Sequence, residues 1–234
     1  MARRRRRRRS RRNKGGLLSG LLLALLLGAI AWAIRALGPT VLVDEPSAGG
    51  DAGAGAGPIE AYEREAWPHW SDADGDCQDT RQEVLIAESE IPVQFRTSKH
   101  CRVKSGRWRC PYTGKVFTDP AKLDVDHLVP LAEAHRSGGH AWDRAKRERY
   151  ANALGEPEHL VAVEAGANRA KADKGPEAWM PPAEGHRCAY LEDWLAVKQR
   201  WGLALDDDEQ AYVTQAQQAC GRGEVPALPP GQRR

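Results

Sequence analysis

The sequence predicts an α+β fold with its chemistry at the junction of two strands and one helix, and three observations lead there. The runs "LDVDHLVP" (123–130) and "HLVAV" (159–163) are short, apolar and rich in β-formers, the length and composition of strands. The segment "EAGANRAKADKGP" (164–176) follows the second run and is helical in composition until Gly175-Pro176 stops it. The segments "AEAHRSGGHAWDRAKRERYANAL" (132–154), "CAYLEDWLAVKQRW" (188–201) and "DDDEQAYVTQAQQAC" (206–220) are polar and helix-rich or carry apolar residues at helical spacing, so additional helices pack around the unit.

The chain has 234 residues and a formal charge of +3, but residues 1–40 carry a block of arginines and no acidic residue. The remainder is net negative, so the basic balance belongs to the tail and does not by itself indicate nucleic-acid binding. Residues 1–14 read as a basic cytoplasmic tail. The uncharged, Leu-rich run that follows is long enough, at about 1.5 Å per helical residue, to cross a bilayer. Residues 15–37 are therefore expected to be a signal anchor, or a signal peptide cut after Ala31 or Ala33, with the positive flank inside. That places the rest at the cell membrane facing outward, or secreted if the signal is cleaved. Residues 38–60, including "PSAGGDAGAGAGP", form a linker with little to pack. Residues 61–225 are long enough for one domain, and 226–234 read as a flexible tail. Five cysteines in an exported segment suggest up to two disulfides.

Within the domain, Thr80-x-x-Glu83 is a capping-box pattern and starts a helix near Arg81. Just upstream, Asp72, Asp74 and Asp76 alternate as in a calcium loop whose twelfth place is Glu83, although Cys77 stands where such a loop needs glycine. The stretch "CRVKSGRWRC" (101–110) reads as an N-terminal basic hairpin turning at Ser105-Gly106, which sets Cys101 opposite Cys110 at disulfide distance. Alternation then places Val103 and Trp108 on an apolar face and Arg102, Lys104, Arg107 and Arg109 on a cationic face suited to phosphates. Six other tryptophans of the domain are expected in the core, and His135, His140 and His159 on helix or loop surfaces.

Two aspartates and a histidine in an apolar strand require compensation, because an unpaired buried carboxylate costs several kcal/mol, about 3 or more. Asp126 and Asn168 offer an anionic and a neutral oxygen, a pair suited to Mg²⁺, with Mn²⁺ as the second candidate. His127 is able to take a proton from water near neutral pH. Asn168 and Lys171 lie at i and i+3 on one helix face, so Lys171 is expected at a phosphate oxygen. Adjacent strand residues point to opposite faces, so Asp126 and His127 serve one site only if the strand breaks between them.

These residues resemble the HNH endonucleases of the ββα-metal type, in particular exported bacterial members with "DVDHLVPLAEAHRSGG" and "NRAKADKGPEAWMPP". The HNH domain of RNA-guided CRISPR nucleases has a similar Asp-His-x-x-Pro and Asn-Arg-x-Lys pattern. The likeness covers about Trp70 to Glu209. It implies an HNH nuclease core in which Asp126 and Asn168 ligate the metal and His127 is the general base. Asn152, the middle asparagine, would brace the loop and orient the base, and Lys171 would lie near the scissile phosphate. Arg169 joins the nucleic-acid-binding set. Asn168 replaces the family's final histidine, and Ala153 stands where members commonly have Asp. The expected activity is hydrolysis of phosphodiesters in DNA, with RNA as a second substrate and low sequence specificity, and no protein partner is predicted. The competing expectation is a non-catalytic calcium-binding cell-surface module.

Overall fold

The structure, a computed structural model, describes residues 60–232. The predicted tail, anchor segment and nearly all of the predicted linker lie outside the described residues. Among the described residues no helix is long and apolar enough to cross a membrane.

The architecture is mixed helix and small antiparallel sheets: six α-helices and three two-stranded sheets among the described residues. Strand β1 (Gln94–Phe95) pairs with β2 (Val103–Ser105), β3 (Trp108–Arg109) with β4 (Val116–Phe117), and β5 (Leu123–His127) with β6 (Leu160–Glu164). The helices are α1 (Thr80–Ala87), α2 (Leu131–Arg136), α3 (Arg144–Ala151), α4 (Ala165–Lys171), α5 (Arg187–Trp201) and α6 (Asp207–Gly221).

The β5–β6 pair runs in unbroken register from Leu123↔Glu164 to His127↔Leu160. Directly opposed residues share a face, so Leu123, Val125, Leu160 and Ala162 point one way and Asp124, Asp126, Val161 and Val163 the other. The first face packs on Val84 and Leu85 of α1 and on Val103 and Trp108. The second receives α4, which starts where β6 ends and lies against both strands. A larger apolar cluster, including Trp67, Tyr112, Tyr150, Trp179, Tyr190 and Trp194, joins the remaining helices.

The capping-box expectation is met with a shift of one residue: the α1 N-cap is Asp79, whose carboxylate accepts the Gln82 amide. At the other end of α1, the Glu88 carboxylate accepts the Ala162 amide of β6 at 2.9 Å. Burial pushes this carboxyl up to about 7, against the opposing effect of that amide. A carboxyl raised in the fold contributes stability that is full below its ordinary value and is lost as pH rises through about 7. Glu88→Gln keeps an oxygen acceptor for Ala162 without the charge. We expect it to raise stability by about 1–3 kcal/mol at pH 8, the gain vanishing near pH 4.5, as read by denaturant titration at the two pH values.

Three expectations are corrected. The 101–110 stretch is not one hairpin: β2 pairs with β1 and β3 with β4. Arg107 donates its amide to the Ser89 hydroxyl and accepts from the Glu90 amide, and the Gly106 amide goes to Thr118 O, so these groups of the turn that would join β2 to β3 are bonded elsewhere. Gly106 lies against Trp108, whose ring leaves no room for a β-carbon there. The Cys101–Cys110 disulfide is replaced by Cys77–Cys101, with Cys188–Cys220 as the second bridge. Cys110 is free and buried, its sulfur accepting the Glu164 amide at 3.2 Å. Finally, residues 226–232 are docked: Arg187 donates to Pro226 O, Tyr212 to Ala227 O, and the Gln232 amide bonds both the N–H and the carbonyl of Met180.

Candidate active site

Strand β5 does not break between Asp126 and His127. His127 is its last residue, and the strand's end opens on a cavity of about 540 Å³ that both residues line from their opposite faces. Asn168, Arg169, Trp70 and Arg64 line it too. Pro130, rather than ending the strand, is the N-cap of α2.

His127 is held on three sides. Its Nε2 lies 2.9 Å from Ala151 O, and a carbonyl only accepts, so Nε2 carries the proton and Nδ1 is the basic nitrogen. The imidazole stacks on Trp70, with ring centroids 5.5 Å apart and planes at 25°, and on Tyr150 at 6.4 Å and 8°. Among the described residues Nδ1 has no hydrogen-bond partner. Burial pushes the imidazole down to about 3, with repulsion from His159, His69 and Lys171 adding to the effect and the Ala151 carbonyl opposing it. The ring is therefore neutral and basic at Nδ1 throughout the physiological range.

Asp126 shares its Oδ2 between the Tyr112 hydroxyl and the Lys171 ammonium, each at 2.8 Å. Burial pushes the Asp126 carboxyl up and the Lys171 ammonium down, while their mutual attraction opposes both effects. Lys171 is fully buried and also donates to His127 O at 3.1 Å. This corrects its expected place at a phosphate: the helix turns Lys171 into the interior, where it neutralises Asp126. The other Asp126 oxygen has no partner among the described residues. Asn168 donates its amide nitrogen to Asp124 Oδ2 at 3.3 Å, which leaves its oxygen without one.

Asn152 does not reach the cavity. As the α3 C-cap, its amide donates to Pro68 O and Glu148 O while its oxygen accepts the Ser71 amide and the Thr80 hydroxyl. It clamps the 68–80 segment, which carries Trp70, to the residue next to Ala151. Two of the contacts of His127, the Trp70 ring and the Ala151 carbonyl, lie on the segments this clamp joins.

The expected cationic set is scattered. Arg107 and Arg109 both pair with Glu90. Lys104 is exposed, Arg102 lines a separate cleft, and only Arg169 lines the cavity of His127. The surface assignment of His135 and His159 is also corrected: both are buried, their Nε2 atoms bonding Glu60 O and Tyr150 O, because a carbonyl acceptor satisfies the ring N–H inside the aromatic core. The carboxylates of Asp72, Asp74 and Asp76 converge to within 4.8 Å of one another and are exposed.

Sequence reading missed Trp70 and Tyr112 as neighbours of the site. One signal was available for Trp70: it directly precedes the acidic loop and lies outside any apolar periodicity. Its φ of +61° and the +53° of Ala172, also at the cavity, are left-handed values costly for non-glycine residues and concentrated where chemistry occurs.

Residues 79–216 match the family described as GmrSD restriction endonucleases, C-terminal domain. The chain belongs to this family. The matched span takes in α1, all six strands and α4, and therefore every residue named in the cavity except those before Asp79. An "Uncharacterized secreted protein" of Arthroderma benhamiae is 35% identical over 164 residues, covering 70% of this chain and 78% of that protein. No solved structure matches the chain. Membership of the GmrSD C-terminal family makes nucleic acid the substrate to consider for the cavity.

Proposed function

We propose that this GmrSD C-terminal family member is an endonuclease of the HNH, ββα-metal type that hydrolyses phosphodiester bonds in DNA, and in RNA as a second substrate, outside the cytoplasm. One observation carries the reading: a neutral histidine with a free Nδ1, a carboxylate oxygen and an amide oxygen, all unpartnered among the described residues, border one cavity. The strand–strand–helix order of β5, β6 and α4 supports it.

In this reading His127 Nδ1 accepts the proton of the attacking water, while Ala151 O and Trp70 hold the ring so that no reorientation is needed. Asp126 and Asn168 supply two hard oxygen donors, a set that fits a divalent cation keeping several waters of its own. Mg²⁺, or Mn²⁺, held there would supply charge stabilisation at the phosphate and the leaving oxygen. Lys171 and Tyr112 fix Asp126 Oδ2 and so aim the remaining oxygen. Arg169, exposed at the rim, is placed to hold the substrate backbone. Contacts of this kind carry no base information, which agrees with low sequence specificity.

Action outside the cytoplasm is supported by the printed name of the Arthroderma benhamiae relative and by two disulfides, which persist in oxidising compartments. The convergence of Asp72, Asp74 and Asp76 favours the second reading, a calcium-binding surface module. That reading assigns no role to the free Nδ1 of His127. Nicking of supercoiled plasmid by the full chain in Mg²⁺ or Mn²⁺, stopped by EDTA, tests the endonuclease reading.

A further inference from the structure

We propose that Arg81, Arg96 and Arg102 form a second phosphate subsite, separate from the reacting centre, that holds the nucleic-acid backbone. The inference rests on the endonuclease reading and adds to it a subsite that joins Arg102, expected at phosphates, to Arg81 and Arg96, which the sequence did not group with it. The three arginines line one cleft of about 270 Å³ with Gln82, Pro120 and Ala121, and no acidic residue lines it. Several cations elsewhere in the domain are neutralised, Arg107 and Arg109 by Glu90, Lys115 by Glu164, and Arg136 by Glu133 and Asp173; the cleft differs in gathering three unpaired guanidiniums around one concavity. Among the described residues none of the three cleft arginines is paired with a carboxylate. Three unpaired guanidiniums around one concavity repel one another unless an anion enters, and phosphate oxygens match their forked donors.

The cleft is built rather than incidental. Arg81, on α1, donates its Nη2 to Pro120 O and Leu123 O, both at 3.1 Å, which fixes the guanidinium plane against the start of β5. The Arg96 amide bonds Arg102 O at 2.9 Å, so these two are neighbours across the β1–β2 pair. The Cys77–Cys101 disulfide ties the residue next to Arg102 to the loop before α1. The Gln82 side chain accepts the Val103 amide, joining α1 to β2 inside the cleft. Arg81 therefore marks one end of β5 and His127 the other, a strand length of about 13 Å at about 3.3 Å per residue.

The test is binding of a labelled duplex oligonucleotide to the full chain in EDTA, for wild type, Arg96→Gln, Arg102→Gln, the double variant and Arg222→Gln as a charge-matched control. One lost phosphate contact lowers the slope of log affinity against log salt by about 0.9, which is about a threefold smaller loss of affinity between about 50 and about 200 mM salt. The double variant is expected to show this change, and the control is not. Hydrolysis of bis(p-nitrophenyl) phosphate, too small to span both sites, is expected to stay at the wild-type rate in every variant. An unchanged slope in the double variant overturns the subsite, as does a loss confined to retention by anionic phospholipid vesicles, which would assign the cleft to headgroups. If the wild type hydrolyses no diester, the catalytic reading fails while the binding series still decides the cleft.

Discussion

Replacing His127 with alanine or glutamine is expected to lower metal-dependent DNA cleavage by about 10²–10⁴-fold, the range a positioned general base contributes. The initial rate of plasmid nicking measures it, and near-ultraviolet circular dichroism confirms that the core remains packed. The same residue sets a pH expectation. With its imidazole pushed down to about 3, chiefly by burial, His127 keeps its free base far below the ordinary histidine range. Protonation of His127 is therefore not expected to slow nicking between pH 8 and 5 in a pH–rate profile, and an acid limb near pH 6.5 would show either that the imidazole is not shifted in the working protein or that Asp126, whose carboxyl burial pushes up, titrates there. Glutamine retains a donor for Ala151 O but has no basic nitrogen, so equal loss in both variants points to proton transfer rather than packing.

Lys171→Met is expected to destabilise the domain by about 3–5 kcal/mol, because it leaves the Asp126 carboxylate charged in the interior with only the Tyr112 hydroxyl as partner. Adding Asp126→Asn removes the uncompensated charge, so the double variant should recover much of the loss in a denaturant melt while remaining inactive. A Lys171→Met protein of wild-type stability with only a raised KM for DNA would instead return Lys171 to the substrate. The sequence places Lys171 on the correct helix face but not at the correct depth. An i, i+3 relation says which residues share a face, and whether that face meets solvent or β5 is decided by tertiary packing.

The same division runs through the whole domain. The two strands, the helix after them, α1 with its acidic cap region, and the long helices α5 and α6 were all legible, because each depends on local periodicity and stop signals. The cysteine pairing was not. Alternation from 101 to 110 correctly buries Val103, Trp108 and Cys110 and exposes Arg102, Lys104 and Arg109, yet the strands carrying them pair with partners elsewhere, β1 and β4. A two-residue turn is a local preference, and three competing hydrogen bonds from Ser89, Glu90 and Thr118 outweigh it. At the site, residue types pointed to Asp126, His127 and Asn168, which line one cavity. Their neighbours Trp70, Tyr112 and Ala151 were hidden, because a stacking ring, a buried hydroxyl and a backbone carbonyl leave no spacing signature. Even the supposed need for a broken strand came from treating β5 as continuous beyond His127, whereas at a strand's end both faces open on the same cavity.

The most direct test is conversion of supercoiled plasmid to nicked circles by the oxidised full chain, in Mg²⁺ and after addition of EDTA. The account predicts nicking that requires the cation and stops with the chelator. Folded protein that leaves DNA and RNA intact in Mg²⁺, Mn²⁺ and Ca²⁺ alike, or cleavage indifferent to EDTA, would contradict it.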